Sequence, residues 1–188
     1  RRIQEMGLEN LPMVSSYPYP PQLLSWMRET FANPDKFITP AIKEAKEQGY
    51  TGYNVDWEPT TKATPQDALD YAKFLSYFAD RMHEEGLKLT VAFATWNSIW
   101  NMDALSKTSV DRFMLMSTYT NNWTAWQKVF NEAVEVFSVQ QLGIGLETTV
   151  GNTNATYSDA ELKKRFDHIK SKGIQEVDVW KSPIPDNW

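Results

Sequence analysis

The 188-residue chain carries no cysteine, which excludes disulfides, thiolate catalysis and cysteine-held metals. A net charge of −5 with no basic stripe to offset it argues against nucleic acid as a partner. With 41% hydrophobic and 23% charged residues the chain reads as one globular domain, 1–188, long enough to bury a substantial core.

Strand-like and helix-like segments alternate along the chain. "LPMVSSY" (11–17) predicts a buried strand, followed by the turn-rich "PYPPQ". "PDKFITPAIKEAKEQG" (34–49) predicts a helix, with Phe37, Ile38, Ala41, Ile42 and Ala45 at helical spacing and Gly49 as its C-terminal stop. "TGYNVDWEPT" holds the next strand, 53–58, ended by Pro59. The segment 64–86 is the clearest helix, with Thr64 as N-cap and Pro65 in its first turn. Its expected buried stripe is Leu69, Ala72, Phe74, Leu75, Phe78, Ala79 and Met82. Strand 88–95, a short helix near 101–107, strand 112–119 and helix 122–137 follow. Strand 141–147, helix 158–173 and strand 175–180 complete the pattern.

Six strands joined by helix-like or loop segments, with no hairpin signals, predict a parallel sheet covered by helices. The candidate architectures are an open doubly wound sheet and a (β/α)8 barrel. No Gly-rich phosphate loop follows any strand, which weakens the nucleotide-binding form of the open sheet. A barrel typically has about 250 residues and eight units. The α/β fold expected here is therefore a (β/α)8 TIM barrel lacking its first two βα units in this sequence, which is expected to begin after a removed or missing segment.

Side chains alternate along a strand, so Asn54, Asp56 and Glu58 share one face while Tyr53, Val55 and Trp57 share the other. In a parallel α/β barrel the C-terminal strand ends carry the chemistry, and Glu58 is the last residue before Pro59. Carboxyl groups two residues apart on one strand face lie about 7 Å apart along the chain. Their side chains can lean together, and like charges that close raise one pKa, which makes the outer carboxyl a candidate general acid. The 13% aromatic content points the same way: rings at strand ends, such as Trp57, Trp96 and Trp180, suit a cleft that stacks on the C–H faces of sugars.

"TGYNVDWE" resembles the D-x-x-D-x-D-x-E strand of glycoside hydrolase family 18, the chitinases and related endo-β-N-acetylglucosaminidases. Asp56 and Glu58 match its last two acidic positions, with Trp57 between them; Thr51 and Asn54 stand at the first two. "FMLMSTY" resembles the family's strand-six M-x-Y-D segment, with Thr120 in place of its aspartate, and Trp180 in "VDVW" its strand-eight tryptophan. The resemblance implies a (β/α)8 barrel of which this chain supplies strands three to eight. It implies that Glu58 protonates the glycosidic oxygen, that the substrate's acetamido oxygen attacks the anomeric carbon, and that Asp56 stabilises the oxazolinium, with Asn54 and Tyr119 in support. Trp180 would form the floor of the sugar subsite. The implied partner is an N-acetylglucosamine-containing oligosaccharide or polysaccharide, with no cofactor, nucleic acid or membrane. Without a bulge, Tyr119 has the wrong parity to share the face of Met116.

Glu147, ending "LGIGLE", supports another enzyme reading, a retaining pair of Glu58 and Glu147 as in the large barrel clan of glycosidases. A chitinase-like lectin is the non-catalytic alternative, although such proteins usually lose the terminal acid that Glu58 retains. His83 and His168 lie in charged helix faces and are expected to be solvated, as is the run "ELKKR". No residue group has metal-site spacing. Two sequons, Asn122-Trp123-Thr124 and Asn154-Ala155-Thr156, fit a secreted or lysosomal/vacuolar glycoprotein.

Overall fold

The computed structural model describes residues 2–150 and 155–180, so the sequon asparagine Asn154 lies outside the described residues. The chain forms two compact units, one of Arg1–Ala92 with Asn97–Asp111 and one of Phe93–Trp96 with Arg112–Trp188. In chain order the elements are α1 (Arg2–Glu5), β1 (Met13–Ser15), α2 (Leu23–Ala32), α3 (Asp35–Gln48), β2 (Gly52–Asp56), α4 (Pro65–His83) and β3 (Lys88–Phe93). They continue with α5 (Met102–Leu105), β4 (Arg112–Leu115), α6 (Trp123–Val136), β5 (Leu142–Glu147), α7 (Asp159–Ser171) and β6 (Glu176–Trp180). The predicted alternation of parallel strands and helices is present, with most strands one to three residues shorter at their ends than the apolar runs suggest.

In the first unit β1, β2 and β3 run parallel in chain order, pairing Ser15 with Asp56 and Asn54 with both Met13 and Thr90. One face of β2 carries Tyr53 and Val55, continued by Trp57, and the helices cover it. The Tyr53 hydroxyl donates to the Ala41 carbonyl of α3 at 3.0 Å, and the Trp57 ring packs on Phe37 of α3 and on Tyr71 and Phe74 of α4. Trp57 is thus a core residue, not the sugar-facing ring expected of it, because strand parity turns it toward the helices.

Helix α4 begins as its sequence dictates. Thr64 and Asp67 form a capping box, and Arg28 of α2 grips the Asp67 carboxylate through two nitrogens at 2.7 and 2.8 Å. The guanidinium first, with the Thr64 groups, holds that carboxyl well below the usual range against the opposing effect of burial. The buried stripe of α4 is Ala68, Tyr71, Ala72, Phe74, Leu75, Phe78, Ala79 and Met82, whereas Leu69 is exposed. At 100° per residue Leu69 lies roughly 130° around the helix from the stripe's centre. Helix α3 ends as expected on Gly49, left-handed at φ 68°, with the Tyr50 N–H returning to the Ala45 carbonyl.

In the second unit β4, β5 and β6 are again parallel in chain order. Phe93, Phe113 and Phe137 form one ring cluster in its core. His168 belongs to a second, edge-on to Trp123, Trp126 and Phe130. It is not the solvated histidine its charged neighbours suggest; burial holds its pKa below the ordinary value. Arg165, within the supposedly exposed "ELKKR", is buried as well. Its guanidinium donates to the Glu161 carboxylate at 2.6 Å and the Thr120 carbonyl at 3.2 Å, and lies over the Tyr157 ring.

Candidate active site

The acidic pair of the first unit is built on two adjacent strand ends. Parallel pairing sets Ser15 beside Asp56, and the Ser15 hydroxyl donates to the Asp56 carboxylate at 3.0 Å. Asp56 is buried, and it exerts a like-charge effect on Glu58, Tyr19 and Tyr71. Asn54 lies one layer below, where its amide donates to Thr90 on β3 at 2.8 Å.

Glu58 lies two residues past the end of β2. Its N–H donates to the Ser16 hydroxyl at 2.9 Å, and the loop beyond it is pinned by Asn97, whose amide donates to the carbonyls of Pro59 and Thr61 at 2.8 and 3.0 Å. Burial first, and then the Asp56 charge, pushes the Glu58 carboxyl above its ordinary value; a hydrogen bond from the Tyr19 phenol opposes them. The strand spacing anticipates the raised carboxyl, yet desolvation outweighs the neighbouring charge. A half-buried acid that keeps its proton to higher pH, fixed beside a buried carboxylate, is equipped to protonate a leaving group and balance developing positive charge.

Tyr19 is the member of this cluster that sequence periodicity misses. It lies in the turn between β1 and α2, at a φ of 62°, and reaches Glu58 across 39 positions of sequence. The only signal is its place in "PYPPQ", which reads as turn chemistry.

A second cluster occupies the ends of β4, β5 and β6. Beyond β4 the chain turns, with the Tyr119 N–H donating to the Met116 carbonyl, so Tyr119 belongs to a turn and the parity argument against it lapses. Its hydroxyl donates to the Asp178 carboxylate at 3.2 Å, and its ring stacks on Trp180 with centroids 6.3 Å apart. Gly145 makes room for that ring, since a Cβ there would lie 2.6 Å from both the Leu115 carbonyl oxygen and the Tyr119 ring. Register pairs Gly145 with Asp178 and Glu147 with Trp180, putting these residues on one face. Burial raises the Asp178 carboxyl, and the Tyr119 hydrogen bond counters it. Trp180 is exposed, as is Trp96, which follows Thr95, whose N–H is held by the Ser117 hydroxyl at 2.8 Å.

Neither protein-family models nor curated protein sequences match this chain. Solved structures do. The spore cortex-lytic enzyme SleL of Bacillus megaterium QM B1551 superposes with a TM-score of 0.81 at 15% identity, over 98% of this chain and 58% of its own. A chitinase of Chromobacterium violaceum ATCC 12472 gives 0.80 at 11% identity, over 99% and 79%. The Ostrinia furnacalis group IV chitinase, solved with allosamidin, gives 0.73 at 12%, over 96% and 74%. The chain thus has the fold of chitinases and family 18-like glycosylases and spans less than two thirds of the length of SleL.

Proposed function

We propose that the chain is a glycoside hydrolase that cleaves β-linked N-acetylglucosamine polymers, of chitin or N-glycan type, by a substrate-assisted retaining mechanism. The observation that carries this reading is the strand-end pair: Glu58, raised by burial and by Asp56, beside a buried Asp56 oriented by Ser15. The proton held by Glu58 goes to the glycosidic oxygen as the C1–O bond breaks. The substrate's acetamido oxygen forms the new bond to C1, and the oxazolinium charge is balanced by Asp56. Water then opens the oxazolinium, returning a proton to the Glu58 carboxylate.

In this reading the six strands are strands three to eight of an eight-stranded barrel, and Trp180 and Tyr119 serve the sugar. Their mutual stacking and the clearance over Gly145 support a shared task. Allosamidin, bound by the Ostrinia group IV chitinase, is the matching inhibitor to try. A secretory or lysosomal/vacuolar setting, with a glycan on Asn122, completes the proposal. Asn122 is exposed and caps α6 through its Oδ1 atom, so a glycan on the amide nitrogen is compatible with the cap.

The test is substrate choice. Chito-oligosaccharides should be cleaved and cello-oligosaccharides, which lack the acetamido group, should not. Asp56→Ala should cut turnover strongly, while Glu147→Ala changes it little. Efficient cleavage of a plain β-glucoside, lost in Glu147→Ala, would replace this mechanism with a two-glutamate one.

A further inference from the structure

The turn after β1 is tied to both carboxyl-bearing positions through one residue. Ser16 is buried and makes three bonds of 2.9 Å: its N–H donates to the Asp56 carbonyl, its hydroxyl accepts from the Glu58 N–H, and its carbonyl accepts from the Tyr19 N–H. The backbone of Tyr19 is therefore fixed relative to that of Glu58 by two hydrogen bonds through a shared serine. At Tyr19 the chain enters the left-handed region, φ 62°, which glycine or asparagine adopts far more readily than a tyrosine. An aromatic residue held there points to a side chain whose position the turn exists to set. The Tyr17 ring packs edge-on against it at 5.6 Å, and the Tyr19 phenol acts on Glu58 in the direction that favours the ionised carboxyl.

We propose that Tyr19 is a positioning residue for Glu58, its phenol steering the carboxyl and stabilising the carboxylate left when the proton departs. The inference rests on the reading of Glu58 as the acid only for its consequence in turnover. Burial and the Asp56 charge favour the protonated form of Glu58, which a general acid needs before reaction. The phenol favours the ionised form, which the acid becomes as it reacts. No proton leaves Tyr19. Burial, with the hydrogen bond to Glu58 and the charges of Glu58, Asp56 and Tyr17, pushes its own pKa up to about 12, so it remains a donor throughout the working range. Among the described residues, Asp56 and Tyr19 are the ionisable groups that act on Glu58.

The experiment is a direct titration of the Glu58 carboxyl by carbon-13 NMR on glutamate-labelled protein, with the resonance assigned through Glu58→Gln. In Tyr19→Phe the midpoint should move to higher pH, because the donated hydrogen bond that favoured the carboxylate is gone. A midpoint that is unmoved or lower overturns the proposal. Fluorotyrosine at position 19 keeps the ring and the turn while strengthening the donor, so it should move the midpoint to lower pH; no movement there also overturns the proposal. The kcat/KM profile of Tyr19→Phe on a chito-oligosaccharide should have its basic limb displaced upward with KM nearly unchanged. A raised NMR midpoint with an unmoved activity profile upholds the hold of Tyr19 on Glu58 and overturns Glu58 as the acid instead.

Discussion

Replacing Gly145 with alanine is expected to dismantle the second cluster while leaving the first intact. The added methyl would sit 2.6 Å from the Leu115 carbonyl oxygen, 2.6 Å from the Tyr119 Cε1 atom and 3.0 Å from its Cζ atom. The carbonyl cannot give way cheaply, because Leu115 is paired with Ile144 in the sheet and accepts from the Thr118 hydroxyl at 2.7 Å. Relief must come from the tyrosine ring and from spreading of the two strands. Overpacking of this kind costs about 1–3 kcal/mol, which at 2–4 °C per kcal/mol for a chain of this size lowers Tm by about 2–12 °C. Gly143→Ala is the control, since there the methyl meets the flexible end of Met114 and should cost less. The assay is thermal unfolding by circular dichroism, together with the titration of Asp178. With the Tyr119 hydroxyl displaced, Asp178 loses the hydrogen bond that lowers its pKa and should titrate at higher pH. A Gly145→Ala variant as stable as wild type, with Asp178 titrating unchanged, would refute the packing argument.

Trp180→Ala should weaken binding of a chito-oligosaccharide by about 1–3 kcal/mol, roughly 5- to 150-fold in Kd, while changing Tm little because the ring is exposed; calorimetry and thermal melts check both. His168 gives a stability term with a defined sign. Burial and Lys172 hold its folded pKa below the ordinary 6.5, so the unfolded chain binds the proton first and stability falls as pH drops through the window below about 6.5. The raised carboxyls of Glu58 and Asp178 act with the opposite sign, favouring the folded state when protonated. Comparing Tm at pH 7.5 and 5.5 in wild type and His168→Phe isolates the histidine, and the variant should lose less stability on acidification.

What the sequence disclosed, and what it hid, follows from the range of the interactions involved. The alternation in 53–58 and the Thr64 cap are local, so they are legible: Asp56 and Glu58 do sit at a strand end, and Pro65 does open a helix. Helix α2 passes unread because "PYPPQ" dominates its start and no side chain caps it, although Leu23, Leu24 and Met27 bury a helical stripe. Leu69 misleads because its hydrophobicity is read without its angle. His168 and Arg165 are disguised by charged neighbours, and the rings and carbonyls contributed by distant segments bury Arg165 and half-bury His168. Tyr19 and Asp178 join their clusters through contacts across 39 and 59 positions, and no periodicity records such distances.

The central claim is that Glu58 is the proton donor. Glu58→Gln retains the shape of the side chain and its backbone bond to Ser16, and it removes the proton. Hydrolysis of a chito-oligosaccharide followed by chromatography, with affinity measured on the same preparation, should show turnover reduced by about 10²–10⁴-fold, the usual worth of a positioned acid, and a Kd close to that of wild type. Turnover equal to wild type at unchanged affinity would contradict the assignment of Glu58 as the acid.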